Sequence, residues 1–400
     1  MNGRDVVVTG CGCLGPWGIG SDALAHALGR GEPLARPIDR TAGYHRAASA
    51  QLVAACGALD LTPWVSPQAA RRMSDLSLFA VAAARMALQQ AGLDSVAGDR
   101  TAVAFATAFG PGGFTEQLAR QILEQGGKAA SPFLFTDCVA NAAAGQVAID
   151  LGARGANLTL CQREAGPLLA LEQGATEIAS GRADFCLAGA VDEMKPLSHA
   201  ILDRFRALAR PDAHGTGELP RPFDRRRRGV LAGEGATVLL LEDEAAARAR
   251  GARILARVRA TARAFDPGAG RASFGRDDQG LAAVLHARLA PWLAEVDAVV
   301  STASGARHGD ALEARILRRT FAALPPVLVP KAVHGEYGGG TLATALLALG
   351  GLDVARPAAC DQPDPALGVV PVHGRVQAHR VLCSALAAGG AAAWTILEVP

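Results

Sequence analysis

The sequence predicts an α/β fold of alternating layers, α/β/α/β/α, in which the second half of the chain repeats the organisation of the first. Short apolar runs end in Gly- or Ser-rich turns that lead into helical patterns, and this succession occurs in both halves. Half of the residues are hydrophobic but only 4% are aromatic, which is typical of helices packed closely on sheets. Strands covered on both faces read as continuous apolar runs, so we expect mostly parallel sheets. The two halves, 1–245 and 246–400, are expected to form one layered unit.

In the first half, apolar runs predict strands at 6–9, 101–107, 157–160, 185–190 and 236–241. The helix predicted for 75–91 is well marked, because Ser74 can cap its start and Gly92 can end it. Further helices are predicted after Ser21, from Thr115, over 141–151 and over 165–180. The segment 141–151 is apolar enough to be buried on every side. The polar stretch between 190 and 236 is interpreted as a surface loop.

In the second half, the predicted elements are a strand at 298–302, a helix at 310–322, a strand at 327–329, a helix at 341–349 and strands near Val381 and Trp394. The Gly-rich loops at Gly110 and Gly338 fit neither the dinucleotide-binding motif nor the P-loop. We therefore expect no nucleotide cofactor.

Charge and cysteine content exclude several functional classes. Forty Lys and Arg residues are balanced by 38 Asp and Glu residues, so no bulk positive field indicates nucleic acid. No basic-then-apolar leader and no 18-residue apolar span are found, so we expect a cytoplasmic protein without membrane contact. The spacing of Cys11 and Cys13 suits neither a zinc knuckle nor a redox motif. We expect no metal, and eight reduced thiols.

Several motifs occur along the chain in the order in which β-ketoacyl synthases carry them. They are Val6-Val7-Val8-Thr9-Gly10, Arg72-Met73-Ser74, Asn141-Ala142-Ala143-Ala144-Gly145, Arg221-Pro222-Phe223-Asp224, Gly233-Glu234-Gly235-Ala236, Lys331 with Gly335, and Gly389-Gly390. They span nearly the whole chain, and the motif at 221–224 is highly specific. The chain therefore resembles the β-ketoacyl synthase family, and the resemblance implies the duplicated five-layer thiolase-like fold.

Enzymes of this family need a cysteine at the start of a buried helix, together with two histidines. The thiolate is acylated, and the histidines polarise the malonyl thioester and assist its decarboxylation. By the resemblance, Glu164 stands at the cysteine position, Ser304 at the first histidine position and Glu336 at the second. Ala388 stands where a gating phenylalanine usually precedes the final glycine pair. No catalytic residue is therefore expected to be intact.

Glu164 cannot replace a thiolate, because a carboxylate is a weak nucleophile and its acyl anhydride would hydrolyse. A helix start would instead stabilise it as an anion, which favours a structural or docking role. The setting Glu164-Ala165-Gly166 resembles that of chain-length factors, the ketosynthase β subunits of type II polyketide synthases, which more usually carry Gln there. The resemblance implies a heterodimer with an active ketosynthase α subunit, a shared tunnel for the polyketide, and an acyl carrier protein that delivers it.

Lys331 needs an acidic partner if it is buried. Glu336 in the same loop and Glu313 on the helix after Ser304 are the candidates. We interpret such a Lys–Glu network as holding the pocket together rather than as catalytic.

Two other functions remain open. An acyltransferase or condensing enzyme with a relocated site would use Cys161, His308 and His334, although Cys161 at the end of an apolar strand is expected to be buried and inert. A homodimeric binding module would use the fold without chemistry.

The run of arginines at 225–228 has two interpretations. It forms local salt bridges to Asp224 and Glu234, or it is a rim that meets an acidic carrier protein. Without interleaved aromatic residues it does not indicate nucleic acid.

Overall fold

The computed structural model describes residues 3–211, 217–337 and 339–400. Its strands are, in chain order, β1 (Val6–Gly15), β2 (Gly18–Ile19), β3 (Arg36–Pro37), β4 (Leu52–Val53), β5 (Thr101–Ala106), β6 (Asn157–Leu160), β7 (Phe185–Asp192), β8 (Gly235–Asp243), β9 (Ala256–Phe265), β10 (Ala298–Ser301), β11 (Val327–Leu328), β12 (Leu352–Val354), β13 (Gly374–Val376), β14 (Arg380–Leu386) and β15 (Ala391–Glu398).

Its α-helices are α1 (Ser21–Arg30), α2 (Pro67–Ala70), α3 (Asp75–Gln90), α4 (Gly112–Gln125), α5 (Pro132–Thr136), α6 (Ala142–Leu151), α7 (Gly166–Ala179), α8 (Pro196–Arg204), α9 (Glu244–Ala249), α10 (Asp278–Leu293), α11 (Arg307–Thr320), α12 (Lys331–His334) and α13 (Gly339–Gly350). Short 3₁₀ turns occur at Gly98–Arg100, Gly127–Ala129 and Arg163–Ala165.

The two halves build the main sheet with the same strand order. In the first half the order is β6, β5, β7, β8, β1, and in the second it is β11, β10, β14, β15, β9. The first strand of each half thus lies beside the last strand of that half. β1 and β9 then pair with each other, through Val7 with Arg257 and Val8 with Ala256. The duplication expected from the sequence is present in the topology, whereas the division at residue 245 stays a prediction.

The sheet is mixed, and the prediction of mostly parallel strands is wrong. β5 runs parallel to β6 and β7, and β10 runs parallel to β11 and β14. β8 and β15 run antiparallel to both of their neighbours. Continuous apolar runs report burial on both faces, but they do not report strand direction.

Helices form three layers around the strands. α3 and α6 pack on the outer side of the first half, and α10 and α11 pack on the outer side of the second. α7 and α13 lie between the halves, where each contacts strands of both. This is the predicted α/β/α/β/α arrangement, and it places the start of α7 in the interior of the fold.

Small residues allow β1 and α3 to approach closely. The Ser77 N–H donates to Oγ of Ser74 at 3.2 Å, which caps α3 as predicted. A Cβ built on Gly12 of β1 would lie 1.9 Å from the carbonyl oxygen of Ala83. A larger residue at position 12 would therefore push strand and helix apart.

Three local interpretations need correction. α6 is not buried on every side, because Ile149 is largely exposed. The stretch between 190 and 236 is not only surface loop, since it contains α8 and buries Phe223 and Asp224. β9 and α10 have no predicted counterpart, because arginines alternate along β9, and Gly280 and Pro291 interrupt the pattern of α10.

Across the described ranges, no helix is long and apolar enough to span a lipid bilayer.

Candidate functional site

Glu164 lies between an edge strand and a central helix. After β6, the 3₁₀ turn that contains Glu164 leads directly into α7. Arg163 has a left-handed φ of 46°, a conformation that non-glycine residues adopt at a cost in energy. Pro167 follows in the first turn of α7, where proline is well tolerated. The chain therefore turns sharply and presents residue 164 at the N-terminal end of the helix.

The second half of the chain supplies the contact for Glu164. The backbone N–H of Ala388 donates to Oε2 of Glu164 at 3.1 Å, and Nη1 of Arg163 donates to the carbonyl of Ala388 at 3.4 Å. Ala388 lies between β14 and β15, next to Gly389 and Gly390, whose φ values of 105° and 97° favour glycine. The glycine pair thus helps to present a backbone donor to Glu164.

Lys331 and Glu336 form the second part of the site. The Lys331 side chain is completely buried, and its Nζ donates to Oε1 of Glu336, whose side chain is 15% exposed. The Glu336 N–H donates to the carbonyl of Leu231 at 2.6 Å, which fixes the loop. Oε2 of Glu336 is buried and accepts no hydrogen bond from any described residue. Glu336 is therefore the direct partner of Lys331, and it keeps one free acceptor.

Glu313, the other acidic candidate, lies on α11 and is buried. Burial raises the pKa of Glu313 to about 7, and the Lys331 charge opposes this rise. Glu313 is thus an electrostatic neighbour of Lys331 in the structure.

Ser304 lies in a turn that a buried carboxylate organises. Asp310 accepts hydrogen bonds from the N–H groups of Ser304 (3.2 Å), Gly305 (3.2 Å) and Phe223 (3.0 Å). Burial nevertheless raises the pKa of Asp310 to about 6. The turn joins the segment before α11 to the motif at 221–224.

A cavity of about 1100 Å³ opens beside Glu164 and Glu336. Its buried end includes the buried Asp192 and these two residues, which are half-buried. Its large apolar lining residues are Phe109, Met194, Ile201, Leu202, Phe205, Val230 and Phe274. Eight arginines and no cysteine are among the described residues that line it. The cavity thus has an acidic end, apolar walls and a basic, solvent-exposed surround.

Two acidic groups of the cavity, Glu164 and Asp192, bind protons more tightly than free carboxylates do. Burial and, second, the Glu336 carboxylate raise the pKa of Glu164 to about 7, against the opposing charge of Lys331. Burial also raises the pKa of Asp192 to about 6, although the Ala108 N–H donates to it at 2.7 Å. Near neutral pH, Glu164 is protonated for part of the time, which makes it a still weaker nucleophile.

The prediction of a buried Cys161 is wrong, because its side chain is exposed. β6 is an edge strand, and residues 161–163, which follow it, are exposed. His308 is exposed and lines the cavity, but Cys161 and His334 are not among the described lining residues. The structure therefore does not bring the three residues of the relocated site together in the cavity.

His334 packs in the core. Its ring centroid lies 5.5 Å from that of Trp17, and its Nδ1 lies 3.0 Å from the carbonyl oxygen of Gly335. Burial, and second the Lys331 charge, lower the pKa of His334 to about 3. His334 is therefore neutral at physiological pH.

The arginine run is partly structural. Arg226 pairs with the buried Asp224 at 3.0 Å, as predicted. The predicted salt bridge to Glu234 is wrong, because the Glu234 carboxylate accepts hydrogen bonds from the N–H groups of Cys56 and Met194, both at 2.8 Å.

Arg163, Asp192 and Asp310 belong to the site but were not predicted. Asp192 is the last residue of β7. An acidic residue at the end of an apolar run could have been predicted to lie in the site. The left-handed conformation of Arg163 and the bridging role of Asp310 could not be predicted from the neighbouring sequence. Arg163 contacts the backbone of Ala388 and Asp310 that of Phe223, and both partners are distant in sequence.

Gly338, at which a Gly-rich loop was expected not to bind a nucleotide, lies outside the described residues. Within the described segments, no three His, Cys, Asp or Glu side chains are grouped so as to hold a metal ion.

Comparison with known proteins agrees with the geometry. Residues 3–247 match the model of the β-ketoacyl synthase N-terminal domain. The tetracenomycin polyketide synthase ketoacyl synthase beta subunit of Streptomyces glaucescens is 29% identical over 376 residues, which are 91% of this chain and 90% of that protein.

Two solved structures superimpose over the whole chain. The ishigamide ketosynthase/chain length factor is 27% identical with a TM-score of 0.86, covering 100% of both chains. AntDE:AntF, described as a type II PKS acyl-carrier protein in complex with its ketosynthase bound to the hexaketide, shares the fold with a TM-score of 0.87 at 22% identity, again over 100% of both chains. The resemblance and the thiolase-like fold predicted from the sequence are confirmed: the chain belongs to the β-ketoacyl synthase family and is similar to the ketosynthase β subunits and chain-length factors of type II polyketide synthases.

Proposed function

We propose that this chain is a non-catalytic chain-length-factor subunit, which pairs with an active ketosynthase and shapes the tunnel in which a carrier-protein-bound polyketide is extended. The observation that carries the proposal is the Glu164 carboxyl group at the start of α7, held by the N–H of Ala388. By the family resemblance, this position belongs to the acylated cysteine. The Glu164 carboxyl group is a weak nucleophile. It occupies the position of the nucleophile and also engages a nearby backbone donor, the N–H of Ala388.

The other vestigial positions support the same conclusion. Glu336 is engaged with Lys331, so neither charge is free to stabilise a developing enolate. The backbone of Ser304 is tied to Asp310, and its hydroxyl lacks the basicity of an imidazole. All chain-forming chemistry would then belong to the partner.

A face of the first half is suited to that partner. β6 is an edge strand with one unpaired side, and such edges readily pair with another chain. The neighbouring helices α4, α5 and α6 expose Leu123, Phe135 and Ile149. Exposed apolar groups of this kind mark protein interfaces, and we assign this face to the ketosynthase α subunit.

We place the shared tunnel near α6 and the loop at 110–113. Phe109, which precedes this loop, already lines the cavity. Ala388, in place of a bulky gate, suits a pocket that does not open and close. Exposed arginines around the cavity would favour an acidic carrier protein. Two relatives support these roles by their own names, one as a ketosynthase beta subunit and one as a ketosynthase/chain length factor.

Co-expression with an active type II polyketide ketosynthase α subunit tests the proposal. We expect a one-to-one heterodimer by native mass spectrometry, and polyketide formation from malonyl units and carrier protein only when both subunits are present. Replacing the cysteine nucleophile of the ketosynthase with alanine should abolish product, whereas Cys161→Ala in this chain should not. A stable homodimer that ignores the ketosynthase, or acylation of Cys161, would refute the proposal; acylation would favour the relocated-site enzyme.

A matched pair of variants tests the assigned face. Phe135 and Phe265 are each 63% exposed, but Phe135 lies on α5 and Phe265 on β9. Phe135→Asp should prevent heterodimer formation, and Phe265→Asp should leave it intact. Equal effects of the two changes would reject this face.

A further inference from the structure

The cavity of this chain combines three chemical environments. Its buried end holds carboxyl groups, its walls are apolar, and exposed arginines surround it. Elongated ligands bind well where an apolar pocket fixes each end by a few polar groups. The three environments therefore specify a ligand class.

The buried end requires a hydrogen-bond donor. Oε2 of Glu336 is buried and accepts no hydrogen bond from the residues that the structure describes, and such an orphaned acceptor destabilises a site until a donor reaches it. Glu164 lines the same cavity, and Lys331, which is paired with Glu336, offsets only one of the two acids. A positively charged donor would satisfy the free acceptor and supply the second counter-charge.

The exposed surround requires an anion. Arg206 and Arg307 line the cavity, are exposed, and form no ion pair within the described segments. Arg206 is also held in a left-handed conformation, φ 58°, two residues after the end of α8. Guanidinium groups bind carboxylates and phosphates with good geometry.

The wall between the two ends is apolar. Ile201 and Phe205, on or directly after α8, are partly exposed to the cavity, as is Phe109. A volume of about 1100 Å³ is at the upper end of the range for small-molecule sites, so a chain of several methylene groups can be enclosed.

We propose that this cavity binds an elongated, apolar molecule with an amine at one end and an anionic group at the other. The ammonium group lies between Glu164 and Glu336, and the anion lies among Arg206 and Arg307. Because this chain alone forms the cavity, the inference does not depend on pairing with a ketosynthase.

Alternative ligands fit less well. A plain acyl chain leaves Oε2 of Glu336 without a donor, and a fatty acid with its carboxylate inward would add a third acid where Lys331 offsets only one. A hydroxyl group supplies one donor but no counter-charge for Glu164.

Calorimetric titration of the full-length chain with three probes tests the proposal. The probes are 8-aminooctanoate, octanoate and octylamine. We expect 8-aminooctanoate to bind about tenfold or more tightly than octanoate, the ratio that one charge-assisted hydrogen bond provides. It should also bind more tightly than octylamine, which lacks the anion.

Two sets of variants assign the ends. Glu164→Gln keeps an oxygen that accepts from Ala388 and removes the charge, so it should weaken 8-aminooctanoate and octylamine about tenfold and leave octanoate unchanged. The double variant Arg206→Gln/Arg307→Gln should weaken 8-aminooctanoate and leave octylamine unchanged. Glu32→Gln and Arg154→Gln, at exposed surface ion pairs, should change nothing.

Binding of octanoate as tight as that of 8-aminooctanoate would overturn the proposal. So would an amine preference that survives Glu164→Gln in a protein with a normal unfolding transition, or no binding of any probe. Since no ketosynthase is present in this assay, its failure would leave heterodimer formation unaffected.

Discussion

Oε2 of Glu164 accepts a hydrogen bond of 3.1 Å from the N–H of Ala388, and this contact joins the central helix of the first half to the last turn of the second. The same carboxyl group has a pKa raised to about 7, chiefly by burial. Because the pKa of Glu164 is raised in the folded protein, the free energy of unfolding should depend on pH through this group.

Glu164→Gln should stabilise the protein relative to wild type increasingly as the pH rises from 5 to 8. A carboxyl group whose pKa is raised on folding binds its proton more tightly in the folded chain, so stability falls as the pH rises from the unfolded value towards the folded one. We expect the difference to grow by on the order of 2 kcal/mol, measured by urea unfolding at each pH.

Glu32→Gln, at an exposed ion pair with Arg30, serves as the control and should show a flat difference. A flat difference for Glu164→Gln as well would show that the carboxyl group is not perturbed by burial.

Glu336→Ala should destabilise the protein more than Lys331→Met. The first change leaves the fully buried Lys331 ammonium without its hydrogen-bonded carboxylate, and an uncompensated buried charge costs about 3–5 kcal/mol. The second leaves a carboxylate that is 15% exposed and reaches water more easily. Urea unfolding of both single variants and the double variant gives their coupling energy.

In the double variant the unpaired charge is gone, so its loss of stability should be smaller than the sum of the two single losses. Strict additivity would mean that the ion pair contributes nothing.

Gly340→Ala should destabilise the protein by about 2 kcal/mol. A Cβ at this position would lie 2.4 Å from Nε2 of His334, and that ring cannot withdraw because it is buried against Trp17 and Tyr337. Gly350, in the same helix, has no atom within 4 Å of a built Cβ. Gly350→Ala should therefore leave the unfolding midpoint unchanged or slightly raised; a similar loss in both variants would indicate a helix effect rather than a steric one.

Cys161 should react with iodoacetamide in the native protein, whereas Cys186 and Cys383 should react only after unfolding. Cys161 is exposed and the other two are buried. Burial raises the pKa of the Cys383 thiol to about 12 and that of Cys186 well above its ordinary value, so little thiolate forms there. Peptide mapping by mass spectrometry identifies the labelled residue, and protection of Cys161 would mean that its surroundings are covered in solution.

Local signals in the sequence predicted the main helices well. α3 was predicted within one residue, because Ser74 caps it and its apolar spacing is regular. β9 was not predicted, because Arg257, Arg259 and Arg263 interrupt its apolar pattern. Strand direction also escaped prediction, because β7 and β8 are equally apolar whichever way they run.

The candidate site could be predicted only in part. The family resemblance placed Glu164, Ser304 and Glu336 in sequence, and the structure shows which contacts they make. The hydrogen bond to Ala388 depends on the packing of the two halves, which no local pattern encodes. The exposure of Cys161 likewise depends on β6 being at the edge of the sheet.

The proximity of Glu164, Glu336 and Lys331 also constrains how the site can change over generations. A cysteine introduced at position 164 would face the carboxylate of Glu336, which disfavours a thiolate. A histidine introduced at position 336 would leave the ammonium of Lys331 in the interior without its counter-charge. Neither substitution alone is therefore favourable, and positions 164, 331 and 336 are constrained to change together.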